Sequence, residues 1–294
     1  MLNAPRRPAV AGQFYEGSAE ALRRQVDACF SDGRGPGPLP PGTSPPPTRR
    51  MRAAIVPHAG LPYSGPIAAH VYAELAADPR PEAVLVLGVD HHGIGPLAAL
   101  SVRPWHTPLG DVPIAAELAR ALAVPPVTVD EPAHALEHSI EVQLPFLQRV
   151  VPTVPFVPLQ IRYAGLDSLV RVAHIVRQAV EGREAVVLAS SDLTHYLPAE
   201  RARALDEEML ARISARDSAG LYRLVRDRAL SMCGIAPVTV LLEALAEEPL
   251  TARLLRYGHS GEAAPMREVV GYASVAFERA AESGRSAAGR HPVK

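Results

Sequence analysis

Ala83-Val84-Leu85-Val86-Leu87-Gly88 is an unbroken apolar run that ends, past Val89, in Asp90-His91-His92-Gly93. A short run of Val and Leu bounded by turn residues reads as a buried strand. Two other runs follow the same plan. Ala54-Ile55-Val56-Pro57 leads into His58-Ala59-Gly60, and Ala185-Val186-Val187-Leu188-Ala189 leads into Ser190-Ser191-Asp192-Leu193-Thr194-His195-Tyr196. In an open α/β sheet, ligands bind outside the carboxyl ends of the strands. Three such ends bearing imidazole and carboxylate predict one polar site assembled from distant segments, with metal-ligand chemistry available.

Outward from these runs the periodicity switches between strand and helix. The pattern predicts strands over 52–57, 82–88, 154–161 and 184–189. It predicts helices over 64–77, 114–122, 136–150, 166–181, 199–214, 217–228 and 237–245. Residues 105–111 read as a turn-rich connection, and apolar segments at 97–102, 251–257 and 269–277 complete the core. Near the start, Ser18 is placed to cap a helix reaching Phe30, with Leu22, Val26 and Phe30 on one face and Cys29 beside it. Strands alternating with helices predict an α/β fold, a single domain whose mixed, mainly parallel sheet carries helices on both faces. The expected divisions are an N-terminal segment and helix (1–31) packed on the domain, a Pro/Gly-rich linker (32–48), the α/β domain (49–278) and a disordered tail (279–294).

Composition narrows the function. The chain has 294 residues, 48% of them hydrophobic, enough for a full core, and its formal net charge is -1. That balance argues against direct nucleic-acid contact and against an anionic membrane surface. No apolar run approaches the roughly 20 residues of a membrane span. No apolar stretch follows Met1-Leu2-Asn3-Ala4-Pro5-Arg6-Arg7 as a secretory signal would require, and two cysteines make no disulfide framework. The expected location is cytoplasmic.

Each candidate site residue has a functional and a structural reading. His58 follows a buried strand and is either a ligand or an imidazole bonded to nearby backbone. His91 and His92 point different ways, so one faces the crevice, and Asp90 is placed to orient a ring. In Glu137-His138-Ser139-Ile140-Glu141, His138 and Glu141 stand three apart and would share a face of the 136–150 helix, either supplying a ligand, an acid/base or a bond behind a ligand, or forming an ordinary exposed pair. Asp192 and His195 share one loop. Asp192 either holds the imidazole in one tautomer, faces a substrate together with it, or caps a turn. Ser190 and Ser191 lack a Gly-x-Ser-x-Gly surround, which argues against a hydrolase nucleophile. Cys233 precedes a predicted helix, whose N-terminus would favour thiolate, a soft ligand; the other reading is inert core. His134 and Gly258-His259-Ser260-Gly261 carry less weight.

Taken together, certain segments resemble the Memo family, the B component of the AmmeMemoRadiSam system. They are Arg7-Pro8-Ala9-Val10-Ala11-Gly12-Gln13-Phe14-Tyr15, Pro57-His58-Ala59-Gly60 with Tyr63-Ser64-Gly65, and His138-Ser139-Ile140-Glu141-Val142-Gln143-Leu144-Pro145-Phe146-Leu147. They continue with Ser190-Ser191-Asp192-Leu193-Thr194-His195-Tyr196, Cys233-Gly234 with Pro237-Val238, and Gly271-Tyr272-Ala273-Ser274. They occur in the family's order over about residues 7–277. The resemblance implies a fold similar to class III extradiol dioxygenases and a metal site, iron(II) or copper, with ligands at His58, His91 and Cys233. Asp192 and His195 would line the same pocket as acid/base or oxygen-positioning groups, and the residue reading adds His138 as a further catalytic candidate. Two positions depart from the pattern: Gly88-Val89-Asp90-His91 stands where the family usually has Gly-Pro-Asn-His, and Leu61 where a tyrosine is common. Extradiol dioxygenases also use a carboxylate as third ligand, so a cysteine there argues against carrying ring cleavage over from the fold.

Two functions follow as expectations. The first is a metal-dependent redox enzyme acting on a small molecule. The second is a non-catalytic metal-binding or adaptor protein that takes a peptide in the crevice. The resemblance also implies a radical-SAM protein of the same system as a partner.

Overall fold

Period-two alternation along the central strands builds two separate cores. The computed structural model describes residues 4–39 and 45–280. Four parallel strands form its centre, in the order β1 (Met51–Val56), β8 (Ala185–Ser190), β2 (Ala83–Val89) and β7 (Phe156–Ile161). Ala53, Ile55, Leu85, Leu87, Val157, Leu159, Val187 and Ala189 project to one face. Ala54, Val56, Val84, Val86, Phe156, Val186 and Leu188 project to the other. Both sets are apolar, which is why these strands read as continuous hydrophobic runs.

Antiparallel strands extend the centre on both sides. β11 (Val269–Arg279) pairs with β1, and β10 (Leu250–His259) pairs with β11. On the other side β3 (Ala98–Leu100) pairs antiparallel with β7 and parallel with β6 (Val127–Val129). A short β9 (His195–Leu197) joins β11, and β4 (Trp105–Thr107) with β5 (Gly110–Val112) forms a separate hairpin where the sequence predicts only a connection. The sheet is mixed with a parallel centre, and helices cover both faces as expected.

On the first face lie α3 (Ala116–Leu122), α5 (Leu166–Val180), α6 (Ala199–Ser214), α7 (Ser218–Asp227) and α8 (Ile235–Ala244). α5 buries Leu169, Val172, Ala173, Val176 and Val180, the stripe expected of a surface helix. α8 is apolar nearly all round because it lies between α5 and the sheet. The second face carries α1 (Ala19–Ser31), α2 (Leu61–Ala77) and α4 (Leu144–Val150). Ser18 caps α1 by accepting from the Ala21 N–H. α1 approaches α2 closely at Gly65, where a Cβ would come 2.5 Å from the Cys29 sulfur.

Three local expectations need correction. α2 begins at Leu61, not Ser64; Gly60 is its cap, and the Ser64 hydroxyl donates back to the Ala59 carbonyl. The helix predicted over 136–150 exists only as α4, preceded by a 3-10 turn at Glu141–Gln143. Glu137 captures the N–H groups of His138 and Ser139 with its own carboxylate, which competes with helix formation there. Pro145 stands in the first turn of α4, a place for the start of a helix rather than its interior. Third, β11 runs to Arg279, so the expected tail boundary falls inside a strand; residues 281–294 and 40–44 lie outside the described residues. Among the described residues, no helix is long and apolar enough to cross a membrane.

Candidate metal centre

β1, β8 and β2 are neighbours, so their carboxyl ends place the 58, 190–192 and 91 loops side by side. Parallel register sets Val56 opposite Ser190. His58 thereby stands over the end of β8, and the buried Asp192 carboxylate accepts its backbone N–H at 2.8 Å.

Hydrogen-bond accounting fixes the His58 tautomer. The Ser190 hydroxyl donates its proton to the Ser139 carbonyl (2.8 Å) and accepts from the Gln143 amide (3.0 Å). Gln143 is oriented in turn by the Tyr72 hydroxyl, which donates to its amide oxygen at 2.7 Å. The 2.8 Å contact between His58 Nδ1 and Ser190 is therefore an Nδ1–H donation. His58 Nε2 keeps its lone pair and faces the Cys233 sulfur at 3.2 Å. Burial drives the His58 pKa well below the usual histidine range, with His91 and His138 adding to the shift.

His91 is held by a different group from the one the sequence offered. Asp90 does not touch the ring; it accepts the Ile94 and Gly95 N–H groups of its own loop. The holder is Glu137, which is fully buried. It accepts the His91 N–H and Nδ1–H (both 2.9 Å), the His138 N–H (2.9 Å) and the Ser139 N–H (2.8 Å). Burial alone would raise this carboxyl; the His91 ring and the N–H donors outweigh it and hold Glu137 well below the usual carboxylate range. An ionised carboxylate only accepts, so His91 also carries its proton on Nδ1 and frees Nε2.

Cys233 reaches the centre because Gly234 allows it. A Cβ at Gly234 would lie 2.3 Å from Ser191 Cβ and 2.6 Å from the Ser190 carbonyl. The sulfur accepts from the Asp192 N–H at 3.2 Å. The expected lowering of the thiol pKa by a helix N-terminus is reversed: burial pushes the thiol up, and the Asp192 carboxylate adds to it.

Ligand atoms of His58, His91 and Cys233 all lie within 4.8 Å of one another. Two imidazole lone pairs and one sulfur converging with their far nitrogens anchored fit a bound iron or copper ion, since anchored Nδ1–H groups are what orient metal-bound histidines. His91, Glu137 and His138 also cluster within 4.8 Å, but Glu137 already accepts four N–H groups as structural bonds.

The structure brings some of the remaining expected residues to this place and not others. His138 stacks on His91 (4.6 Å between centroids, 11°), lies 5.5 Å from the His58 ring, and packs against Phe14 at 4.7 Å. Burial pushes its pKa down to about 4. It does not share a helix face with Glu141, whose buried carboxylate binds Arg6, Tyr15 and the Ala9 and Val10 N–H groups. Asp192, pushed up to about 6 by burial, neither caps a helix nor holds the His195 ring. His195 Nδ1 donates to the Leu193 carbonyl at 2.8 Å, leaving Nε2 as an acceptor on a partly exposed ring. His134 is a fully buried support that bonds the Ala99 carbonyl. Sequence reasoning missed Glu137, Ser190, Gln143 and Tyr72 as supports; Glu137 and Ser190 stand in histidine-bearing segments, whereas nothing local signalled Gln143 or Tyr72.

Comparison with known proteins places the whole chain. The family described as Memo-like protein matches residues 6–276. A MEMO1 family protein of Methanothermobacter thermautotrophicus is 42% identical over 277 residues, covering 91% of this chain and 98% of the relative. One from Methanopyrus kandleri is 41% identical over 282 residues, covering 93% and 99%. Among solved structures, an uncharacterized protein from Escherichia coli K12 superposes with a TM-score of 0.53 at 17% identity, over 77% of this chain and 99% of that one. That likeness bears on the fold alone.

Proposed function

This chain belongs to the Memo-like family, and from that premise we propose that it is a metal-binding redox enzyme acting on a small molecule, with iron(II) or copper held by His58, His91 and Cys233. The observation that carries the reading is the convergence of two free Nε2 atoms and one sulfur within 4.8 Å. A metal held there would supply Lewis-acid and redox chemistry. The chain's own residues do the rest. His138, kept neutral because burial lowers its pKa, and stacked on the His91 ring, would accept a hydrogen bond from a substrate hydroxyl or water and orient it. His195 presents Nε2 as a second acceptor at the mouth, and Asp192 holds the His58 backbone in place.

Elemental analysis after anaerobic purification tests this. Wild type is expected to carry near-stoichiometric iron or copper, and His58→Ala, His91→Ala and Cys233→Ala to lose it. A metal-free wild type that also refuses added metal removes the reading. A second reading, tight metal sequestration without catalysis, is favoured by one observation: Glu137, the carboxylate beside the site, already accepts four N–H groups, leaving the soft thiol as third donor. It predicts far tighter binding of copper(I) than of iron(II), and weak, unselective copper binding would remove it.

A further inference from the structure

The N-terminal segment 6–15 is fastened to the domain by backbone bonds of Arg6 with Pro104 and His106 and of Phe14 with Leu61, and by side-chain and amide bonds that converge on one buried carboxylate. Glu141 accepts from the Arg6 guanidinium, the Ala9 N–H (2.7 Å), the Val10 N–H (3.0 Å) and the Tyr15 hydroxyl (2.6 Å). Arg6 does more than dock the segment. Its plane lies 4.2 Å over Trp105, and it donates to the His134 carbonyl twice (3.0 and 2.9 Å) and to the Glu137 carbonyl at 2.6 Å. That last bond fixes the peptide plane between Glu137 and His138. The same peptide's N–H donates to the Glu137 carboxylate, and that carboxylate holds the His91 ring. Phe14, on the same segment, packs against His138 at 4.7 Å.

We infer that Arg6 is a positioning residue for the metal centre, acting through Glu137 on His91, so that docking of segment 6–15 and metal binding are linked. The inference rests on His91 being a ligand. The physical ground is the planar fork: one guanidinium satisfies two carbonyls and a carboxylate at once, which a lysine ammonium does not reproduce in that plane. Linkage is reciprocal, so metal steadies the segment as much as the segment steadies the ligand.

Three measurements on the full chain test it. Hydrogen exchange at Ala9 and Val10 is followed with and without anaerobic iron(II), and with copper(I) in parallel; metal is expected to slow both amides. Metal titration of Arg6→Met should show affinity about tenfold weaker, the low end for supports behind a ligand, and Arg6→Lys should not restore it. Ring 15N shifts of His91 in metal-free protein should show a single Nδ1–H form in wild type and a tautomer mixture in Arg6→Met, a readout that general loss of stability does not produce. If Arg6→Met fails to fold, the wild-type exchange comparison decides alone. Unchanged exchange with metal bound, or equal affinity in Arg6→Met, overturns the linkage and leaves the metal reading standing; a wild type that binds no metal overturns both.

Discussion

His58 and His91 face each other across the centre, 5.3 Å apart at 81°, yet they are held by opposite means. His58 is buried and its far nitrogen donates into a neutral relay of Ser190, Gln143 and Tyr72. His91 sits on a more open loop, and its far nitrogen donates to an anion, Glu137. A charged acceptor makes the stronger hydrogen bond and raises the basicity of the ligating nitrogen. The difference teaches that burial with neutral hydrogen bonds orders one ring, whereas a charge orders the more open one.

The largest effect should therefore come from neutralising that side. Glu137→Gln replaces an acceptor with an amide that turns an N–H toward existing donors. Metal affinity should fall about 100-fold, the upper end for a support behind a ligand, measured by competition with a chromogenic chelator. Ser190→Ala removes the acceptor of the His58 proton but leaves a buried ring in a tight site. The expected loss is about tenfold by the same assay. If Ser190→Ala costs as much as Glu137→Gln, the neutral relay matters as much as the charge and the comparison breaks.

The same contrast separates what the sequence disclosed from what it hid. Strand ends bearing His58, His91 and Asp192 were legible because apolar runs of five or six residues mark buried strands and loops follow them. The two-faced sheet was legible for the same reason. The supports were not. Ser190 meets His58 only through parallel register, Gln143 and Tyr72 come from other elements, and none of these spacings is local. Glu141 was misread by a local rule: a three-residue spacing implies a shared face only where a helix exists, and Glu137 prevents one from forming. Asp90 was misread because it is adjacent in sequence, while the carboxylate that reaches the ring comes from the neighbouring loop.

Another buried carboxylate sharpens the comparison with the smallest expected effect. Asp206, fully buried on α6, accepts the Thr194 N–H (3.0 Å) and the Tyr257 hydroxyl (2.8 Å), and so supports the loop that carries His195. Glu137 has one donor after another at its oxygens; Asp206 has these two and sits against Gly271, where a Cβ would lie 2.0 Å from its Oδ2. Burial pushes its pKa up and its bonds do not offset that, the opposite of Glu137. A carboxyl whose pKa is higher folded than unfolded binds more protons in the native state, so its contribution falls as pH rises from the ordinary aspartate range through the folded value. Asp206→Asn should remove that decline. Thermal melts of wild type and variant between about pH 4 and 7, each read against its own value at the acid end, should then diverge, with wild type losing ground as pH rises. Parallel curves would mean that Asp206 carries no such penalty, and donor number would no longer explain why these two buried carboxylates differ.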